Sequence, residues 1–167
     1  VSTLFQSDKD QITVDNKLYN VASLAADTNY LKIVPIPILK TSRNKLLENP
    51  QDAIISEDLS RLVFGKEDPI GQQITTSMGK IVTVVAVMGK PNTRFSMPFD
   101  LLISNESVNY RKYSMPHSLV KLHKGHSAAS VNKEYEAFRK MSNFTNHLRI
   151  CFYPLQKLYF DQQVVTY

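Results

Sequence analysis

Apolar and polar positions alternate over short stretches along much of this chain, a pattern typical of strands that bury one face. The alternation predicts a hairpin near the start, with strands at 3–6, 12–14 and 17–24 and a turn at Asp15-Asn16, since Asp and Asn tolerate tight-turn backbone angles. Further short apolar strands are predicted at 36–39, 53–55, 73–76, 81–87 and 99–103. The stretch 81–87 is nearly all β-branched without alternation, so we expect it to be covered on both faces.

Helical spacing first becomes clear after Ser56, which is a suitable N-cap residue followed by two acids. Leu59, Leu62 and Val63 then form one apolar face, and Gly65 ends the helix because glycine readily adopts a left-handed conformation. A shorter helix is predicted after Asp27 as its N-cap, with prolines at 35 and 37 stopping it.

The last third of the chain predicts a β-α-β unit. Its helix begins at Ser127, carries an apolar stripe and includes a Glu136–Lys140 pair. The stripe consists of Ala128, Val131, Tyr135 and Phe138. The flanking strands are predicted at 119–122 and 148–153. A polar, tyrosine-rich stretch at 105–116 is the best candidate for a boundary between two lobes.

The composition is that of a folded domain, but it does not indicate the cellular compartment. The 167 residues are 43% hydrophobic and 21% charged, which is near the globular average. No apolar run is long enough to span a bilayer, and the first ten residues lack the apolar core of a signal peptide. The start at Val1 rather than Met is what we expect of a piece cut from a longer protein, so the absent targeting signal says nothing about the compartment.

The net charge of +5 indicates no particular partner, because the Lys and Arg residues are scattered. We interpret them as a solvated surface, with a membrane-facing surface as the alternative. One segment, Tyr110-Arg111-Lys112-Tyr113, interleaves basic and aromatic residues as nucleic-acid-binding proteins do. It stands alone, so a flexible loop is the favoured interpretation and no nucleic acid is expected.

Catalytic and cofactor motifs were sought without result. The five glycines form neither a phosphate-binding loop nor a nucleophile elbow. His123-x-x-His126 offers two ligands, too few for zinc. The acidic pairs Glu57-Asp58 and Glu67-Asp68 sit at a helix start and in a turn, while Cys151 is interpreted as a small packed side chain, with a reactive thiol as the alternative. We therefore predict no catalytic, cofactor-binding or metal-binding residue, no cofactor and no enzymatic activity.

The order of segments between residues 52 and 104 is distinctive. Ile-Ile-Ser-Glu at 54–57 precedes the helix, Leu-Val-Phe-Gly at 62–65 ends it, Asp-Pro-Ile-Gly occupies 68–71, a valine-rich strand follows, and Phe-Asp opens the last strand at 99–100. This order resembles the MacB-like periplasmic core domain of FtsX-like ABC transporter permeases. Weaker matches at 27–30, 119–124 and 153–159 extend the resemblance over about residues 11–160.

Two departures from the family pattern affect what we expect. Ala86-Val87-Met88 stands where a glycine is common, which implies a local packing change. The family also carries a strand and a helix upstream of Ile12, for which this sequence offers only about ten residues. Part of the membrane-proximal lobe is therefore expected to be missing.

The resemblance implies a mixed α+β, two-lobed extracytoplasmic domain. Residues 1–115 would form mainly the membrane-distal lobe, and 116–167 the membrane-proximal β-α-β lobe. The domain would stand on the periplasmic face of the bacterial cytoplasmic membrane, as part of an integral membrane protein. Its implied partners are a cytoplasmic ABC ATPase, a second permease copy, and a periplasmic adaptor or substrate. The function would be to couple ATP hydrolysis to substrate efflux or mechanical work.

Two other functions stay open at this point. A freestanding extracytoplasmic module that binds a peptide or lipid would show a deep apolar pocket. An enzyme would need a cleft in which His126 or His147 meets an Asp or Glu side chain.

Overall fold

The structure is a computed structural model that describes residues 1–90, 98–107, 117–141 and 151–154. In chain order its elements are β1 (Ser2–Val14), β2 (Lys17–Ala26), α1 (Tyr30–Ile33), β3 (Ile38–Thr41), β4 (Asp52–Ser56), α2 (Glu57–Phe64), β5 (Gln73–Thr76), β6 (Ile81–Met88), β7 (Leu101–Ser104), a 3₁₀ turn (Asn105–Ser107), β8 (His117–Leu119) and α3 (Ala128–Met141). The chain divides into unit 1, Val1–Val120, and unit 2, Lys121–Tyr167. Strands and helices in one chain confirm the predicted α+β class.

The strands of unit 1 form a sheet that returns to its starting point. Its order is β2-β7-β4-β6-β5-β1, and β1 pairs with β2 as well, so these strands make a ring. The β2–β7 and β4–β6 pairs are parallel, and the other pairs of the ring are antiparallel. Two strands attach outside this order: β3 beside β6, and β8 beside β1.

Each face of the sheet carries its own apolar cluster. The inner cluster receives side chains from every strand of the ring and from Leu59 of α2, so it fills the interior. The outer cluster lies between the sheet and the segment that runs from α1 to Leu47. Tyr30 is fully buried there with its ring edge-on to Phe99 at 6.2 Å, and burial raises the pKa of its hydroxyl.

The predicted hairpin at the start is confirmed, with a difference in its first arm. Asp15 and Asn16 form the turn with φ of 47° and 61°, a conformation in which these residue types are tolerated. The two strands predicted before the turn are one strand, β1, whose pairing with β2 shifts between Ser7 and Asp10. A bulge of this kind lets one long strand bend. The alternation of apolar and polar residues fails at the bulge, so the sequence pattern predicts two strands where the structure has one.

Strand β6 is buried on both faces, as its composition predicted. Val84 and Val87 belong to the inner cluster, whereas Val85 and Ala86 belong to the outer one. The register against β4 shifts at this point, where Ala53 faces Val84 and Ile54 faces Ala86. The bulge gives two consecutive residues the same side of the sheet, and this explains the missing alternation.

Helix α2 begins and ends where predicted. The Ser56 hydroxyl accepts a hydrogen bond from the Leu59 amide at 3.0 Å, and Gly65 follows the helix with φ of 64°. The predicted apolar face is narrower than expected: Leu59 is buried, but Leu62 is 65% exposed. Val63, the third residue of the predicted face, is partly buried and packs against the inner cluster, so only Leu62 departs from the prediction.

The role predicted for Asp27 is wrong. The N-cap of α1 is Asn29, whose side chain makes no cap hydrogen bond. The Asp27 carboxylate instead accepts hydrogen bonds from the amides of Asn29 at 2.9 Å and Thr3 at 2.8 Å. It therefore links the turn before α1 to the start of β1.

In unit 2 the predicted helix is confirmed as α3, but two details differ. Phe138 is 63% exposed, so it lies outside any buried stripe, and Glu136 pairs with Arg139 at 3.4 Å rather than with Lys140. Asn132 exchanges two hydrogen bonds with the backbone of Phe152, at 2.7 and 2.8 Å.

The strands expected around α3 differ from the prediction as well. The strand predicted at 119–122 occurs earlier, as β8 at His117–Leu119, and belongs to unit 1. Residues 151–154 carry no regular secondary structure, and 142–150 lie outside the described residues.

Candidate functional site

The distinctive segments of the sequence meet around the start of α2, where they hold three elements together. The Ser56 amide donates to the Asp100 carbonyl at 2.7 Å, and the Ser56 hydroxyl donates to the Asp100 carboxylate at 3.2 Å. The Asp100 amide in turn donates to the Ala22 carbonyl at 2.8 Å. The Ser-Glu and Phe-Asp segments therefore join β4, α2 and β2, which is a structural role.

The Asp-Pro-Ile-Gly segment is a turn that leads into β5 and lies beside β6. The Asp68 carboxylate accepts hydrogen bonds from the Lys40 ammonium at 2.7 Å and from the Ile70 amide at 3.0 Å, and these bonds lower the pKa of Asp68. Gly71 has φ of 85°, which favours glycine, and its amide donates to the Val84 carbonyl at 2.8 Å.

The acidic pairs face solvent, and Glu57, Asp58 and Asp68 form ion pairs with basic side chains. Glu57 pairs with Arg61 one helical turn later. A carboxylate oxygen of Asp58 lies 3.3 Å from the Lys90 ammonium nitrogen. Such exposed pairs contribute about 0–1 kcal/mol to stability. Within the part of the chain that the structure describes, the partners of these carboxylates are basic side chains and backbone amides.

The histidine and cysteine candidates are exposed too. His123 and His126 lie in the turn before α3, and Cys151 is exposed, so the prediction that it is a packed side chain is wrong. Across residues 1–90, 98–107, 117–141 and 151–154, no three His, Cys, Asp or Glu side chains are arranged to hold a metal ion. The segment 110–113 and His147 lie outside the described residues.

A polar cavity of about 500 Å³ lies beside the loop that precedes β4. The Asp52 carboxylate, 2% exposed, accepts hydrogen bonds from Arg43 Nη1 at 2.7 Å and from the Asn49 amide at 3.3 Å. The remaining lining residues are Pro50, Gln51 and Thr83. The charged groups already satisfy one another, so the cavity is an ion-paired surface depression, unlike the deep apolar pocket that a peptide- or lipid-binding module requires.

The chain leaves unit 1 directly after β8, which sequence reasoning placed in the other lobe. β8 runs antiparallel to the start of β1, with Ser2 facing Leu119, Thr3 facing Ser118 and Leu4 facing His117. The strand closest to unit 2 along the chain is therefore paired with the first strand of unit 1. A pairing between segments more than a hundred residues apart leaves no periodic signal in the sequence.

Among the described residues, no helix is both long and apolar enough to cross a bilayer.

Comparison with known proteins gives a consistent result for the fold. The family model of the MacB-like periplasmic core domain matches residues 1–138. No curated protein matches the sequence significantly.

Three solved structures are similar to the chain. The first is a domain of a protein described as a permease from Porphyromonas gingivalis, with 21% identity and a TM-score of 0.63 over 84% of this chain and 68% of that one. The second is the periplasmic region of MacB from Actinobacillus actinomycetemcomitans, with 14% identity and a TM-score of 0.61 over 84% and 67%. The third is the extracellular domain of the noncanonic ABC-type transporter YknZ from Gram-positive bacteria, with 14% identity and a TM-score of 0.63 over 86% and 76%. At these identities the likeness shows a shared fold.

Proposed function

Because the chain belongs to the family of MacB-like periplasmic core domains of FtsX-like ABC transporter permeases, we propose that it relays motion from a cytoplasmic ATPase to a substrate or partner outside the cytoplasmic membrane. The observation that carries this proposal is the family match over residues 1–138. In this role the domain stands on the periplasmic face of a bacterial cytoplasmic membrane, as part of a longer membrane protein.

The organisation of the described residues supports a mechanical role. The strand ring of unit 1 is tied by backbone hydrogen bonds on every side, and the segments shared with the family serve its turns and caps. A rigid unit transmits displacement, whereas a deformable one absorbs it. Coupling of this kind needs two arrangements of rigid parts that the nucleotide state favours unequally.

The proposed partners follow from the same premise. A cytoplasmic ABC ATPase supplies the energy, a second permease copy completes the transporter, and a periplasmic adaptor or substrate receives the motion. The work done outside the membrane is substrate efflux or mechanical work. The domain itself carries out no bond chemistry in this proposal.

We also propose that residues 1–115 lie mainly in the membrane-distal lobe and 116–167 in the membrane-proximal one. Unit 1 ends at Val120, close to this boundary, so the strand ring would be the distal body and α3 would be part of the proximal one.

A distance measurement across the two units tests the proposal. Spin labels on Ser77→Cys in unit 1 and Ala137→Cys in unit 2, both exposed, are introduced into the full permease with Cys151→Ser. The permease and its ATPase are reconstituted in nanodiscs, and the distance distribution is measured without nucleotide, with trapped ATP and with ADP. We expect the distribution to change with the nucleotide.

A label pair within unit 1, Ser77→Cys with Lys45→Cys, is the matched control, because both positions are exposed on one rigid body. Its distance should be the same in all three states. A cross-unit distribution that ignores the nucleotide would refute coupling through this domain.

A further inference from the structure

The chain passes from unit 1 to unit 2 through the shortest of the described strands. β8 has 3 residues, whereas β1 has 13 and β6 has 8. Among the described strands β8 pairs with β1 alone, through three facing residue pairs. Ser118 is exposed, and Leu119 is a partly buried neighbour of the outer cluster.

The antiparallel direction of β1 and β8 decides which of their residue pairs lies nearest to unit 2 along the chain. β1 and β8 are antiparallel, and Ser2, near the start of β1, faces Leu119, the last residue of β8. The chain continues from Leu119 through Val120 into unit 2. The Ser2–Leu119 pair is therefore the nearest to unit 2 along the chain, and Thr3–Ser118 comes next.

The other end of β1 is held quite differently. Ile12 and Thr13 pair with β5 inside the ring, and Ile12 is a fully buried member of the inner cluster. The Ser2–Leu4 end of β1 is also held on its β2 side, where the Thr3 amide donates to Asp27. The two ends therefore differ on the other side of the strand, where one end pairs with β5 of the ring and the other with the three-residue β8. Local opening follows the elements with the fewest buried contacts.

We infer that β8 and residues Ser2–Leu4 of β1 form a releasable clasp, which opens when unit 2 moves and closes when it returns. Ser2 and Leu4, which face Leu119 and His117, are both fully buried in the closed arrangement. The clasp is a property of unit 1 itself, while its use in transport rests on the function proposed above.

Hydrogen exchange on the 167-residue chain tests the clasp without any transport assay. The amides of residues 117 and 119, which face β1, should exchange on the order of 100-fold faster than that of Val84 in the ring, since local opening does not require global unfolding. Rates equal to that of Val84 would show that β8 opens only when the whole sheet does, and would overturn the inference.

Two disulfides on the same strand provide the matched pair of variants, each in a Cys151→Ser background. Thr3→Cys with Ser118→Cys locks the clasp, and Thr13→Cys with Thr75→Cys locks the opposite end, where the ring is already closed. Directly facing residues of antiparallel strands have Cα atoms about 4.5–5.5 Å apart, within the range of a disulfide. Oxidation of the first pair should slow exchange at residues 117 and 119 about tenfold or more, and oxidation of the second should leave it unchanged.

In the reconstituted permease the same variants separate the two proposals. With the clasp oxidised, the nucleotide-dependent change between the units should be lost and should return on reduction, while the second disulfide has no effect. A full nucleotide response with the clasp locked would overturn the clasp. No response in the permease without either disulfide would instead refute the proposed function, and the exchange measurement would still decide the clasp.

Discussion

Replacing Val84 by aspartate should unfold unit 1. Val84 is 0% exposed and lies in the inner cluster, on a strand paired with both β4 and β5. The substitution removes the burial of a valine side chain, about 1.5–3 kcal/mol, and adds an unpaired buried charge that costs several kcal/mol more. The sum is about 5 kcal/mol or more, which reaches the lower end of the total stability of a typical domain.

Thermal and urea unfolding, followed by circular dichroism, measure this effect. Val84→Ala is the graded companion and should cost about 2–3 kcal/mol, because it removes the same methyl groups without adding charge. Ile81→Asp is the control on the same strand, since Ile81 is 54% exposed and its carboxylate would stay in water. It should change stability by about 1 kcal/mol or less.

The reasoning is refuted if Val84→Asp melts within a degree or two of the parent chain. That result would mean that the interior of the ring is open to water at Val84 and does not exclude a charge. Equal losses for Val84→Asp and Ile81→Asp would contradict it as well, because the difference in burial would then have no energetic consequence.

Ser56→Ala should lower the free energy of unfolding by about 1 kcal/mol, since the hydroxyl caps α2. Ser60→Ala within the same helix serves as control. Equal losses of stability in the two variants would argue against the cap. Lys40→Met should raise the pKa of Asp68 towards its ordinary value, as followed by carbon NMR of the carboxyl group against pH, because the Lys40 hydrogen bond is the main cause of the lowered pKa. The stabilisation from ionised Asp68 is present above the ordinary pKa and is lost as the pH falls through the lowered one. Lys45→Met, which removes a lysine that pairs with Glu48 instead, should leave the Asp68 pKa unchanged.

The local signals of the sequence predicted the local structure well. Ser56 and Gly65 mark the ends of α2 because capping and left-handed conformations depend on neighbouring residues only. The Asp15-Asn16 turn was readable for the same reason. The burial of β6 was also predictable, since its valine-rich composition is unusual for a strand with a solvated face.

Features that depend on distant partners could not be predicted in this way. The exposure of Leu62 and Phe138 depends on what α2 and α3 pack against, and the helical period alone does not record that. The continuity of β1 was hidden by its bulge, where alternation fails. The pairing of β8 with β1 joins residues at opposite ends of unit 1, and no motif marks either strand.

Because the strand ring closes through the pair of β2 with β7, the sheet cannot be completed until β7 has been synthesised. The first hairpin emerges early, but β2 needs β7 beside it, and Leu24 faces Leu102 in that pair. Until residue 104 has been synthesised, the β2 edge of the hairpin stays unpaired. The apolar side chains that the hairpin contributes to the inner cluster stay without their partners from β7. Such long-range closure slows folding and exposes strand edges for longer, so chaperone binding during synthesis should concentrate on the segment from β1 to β6.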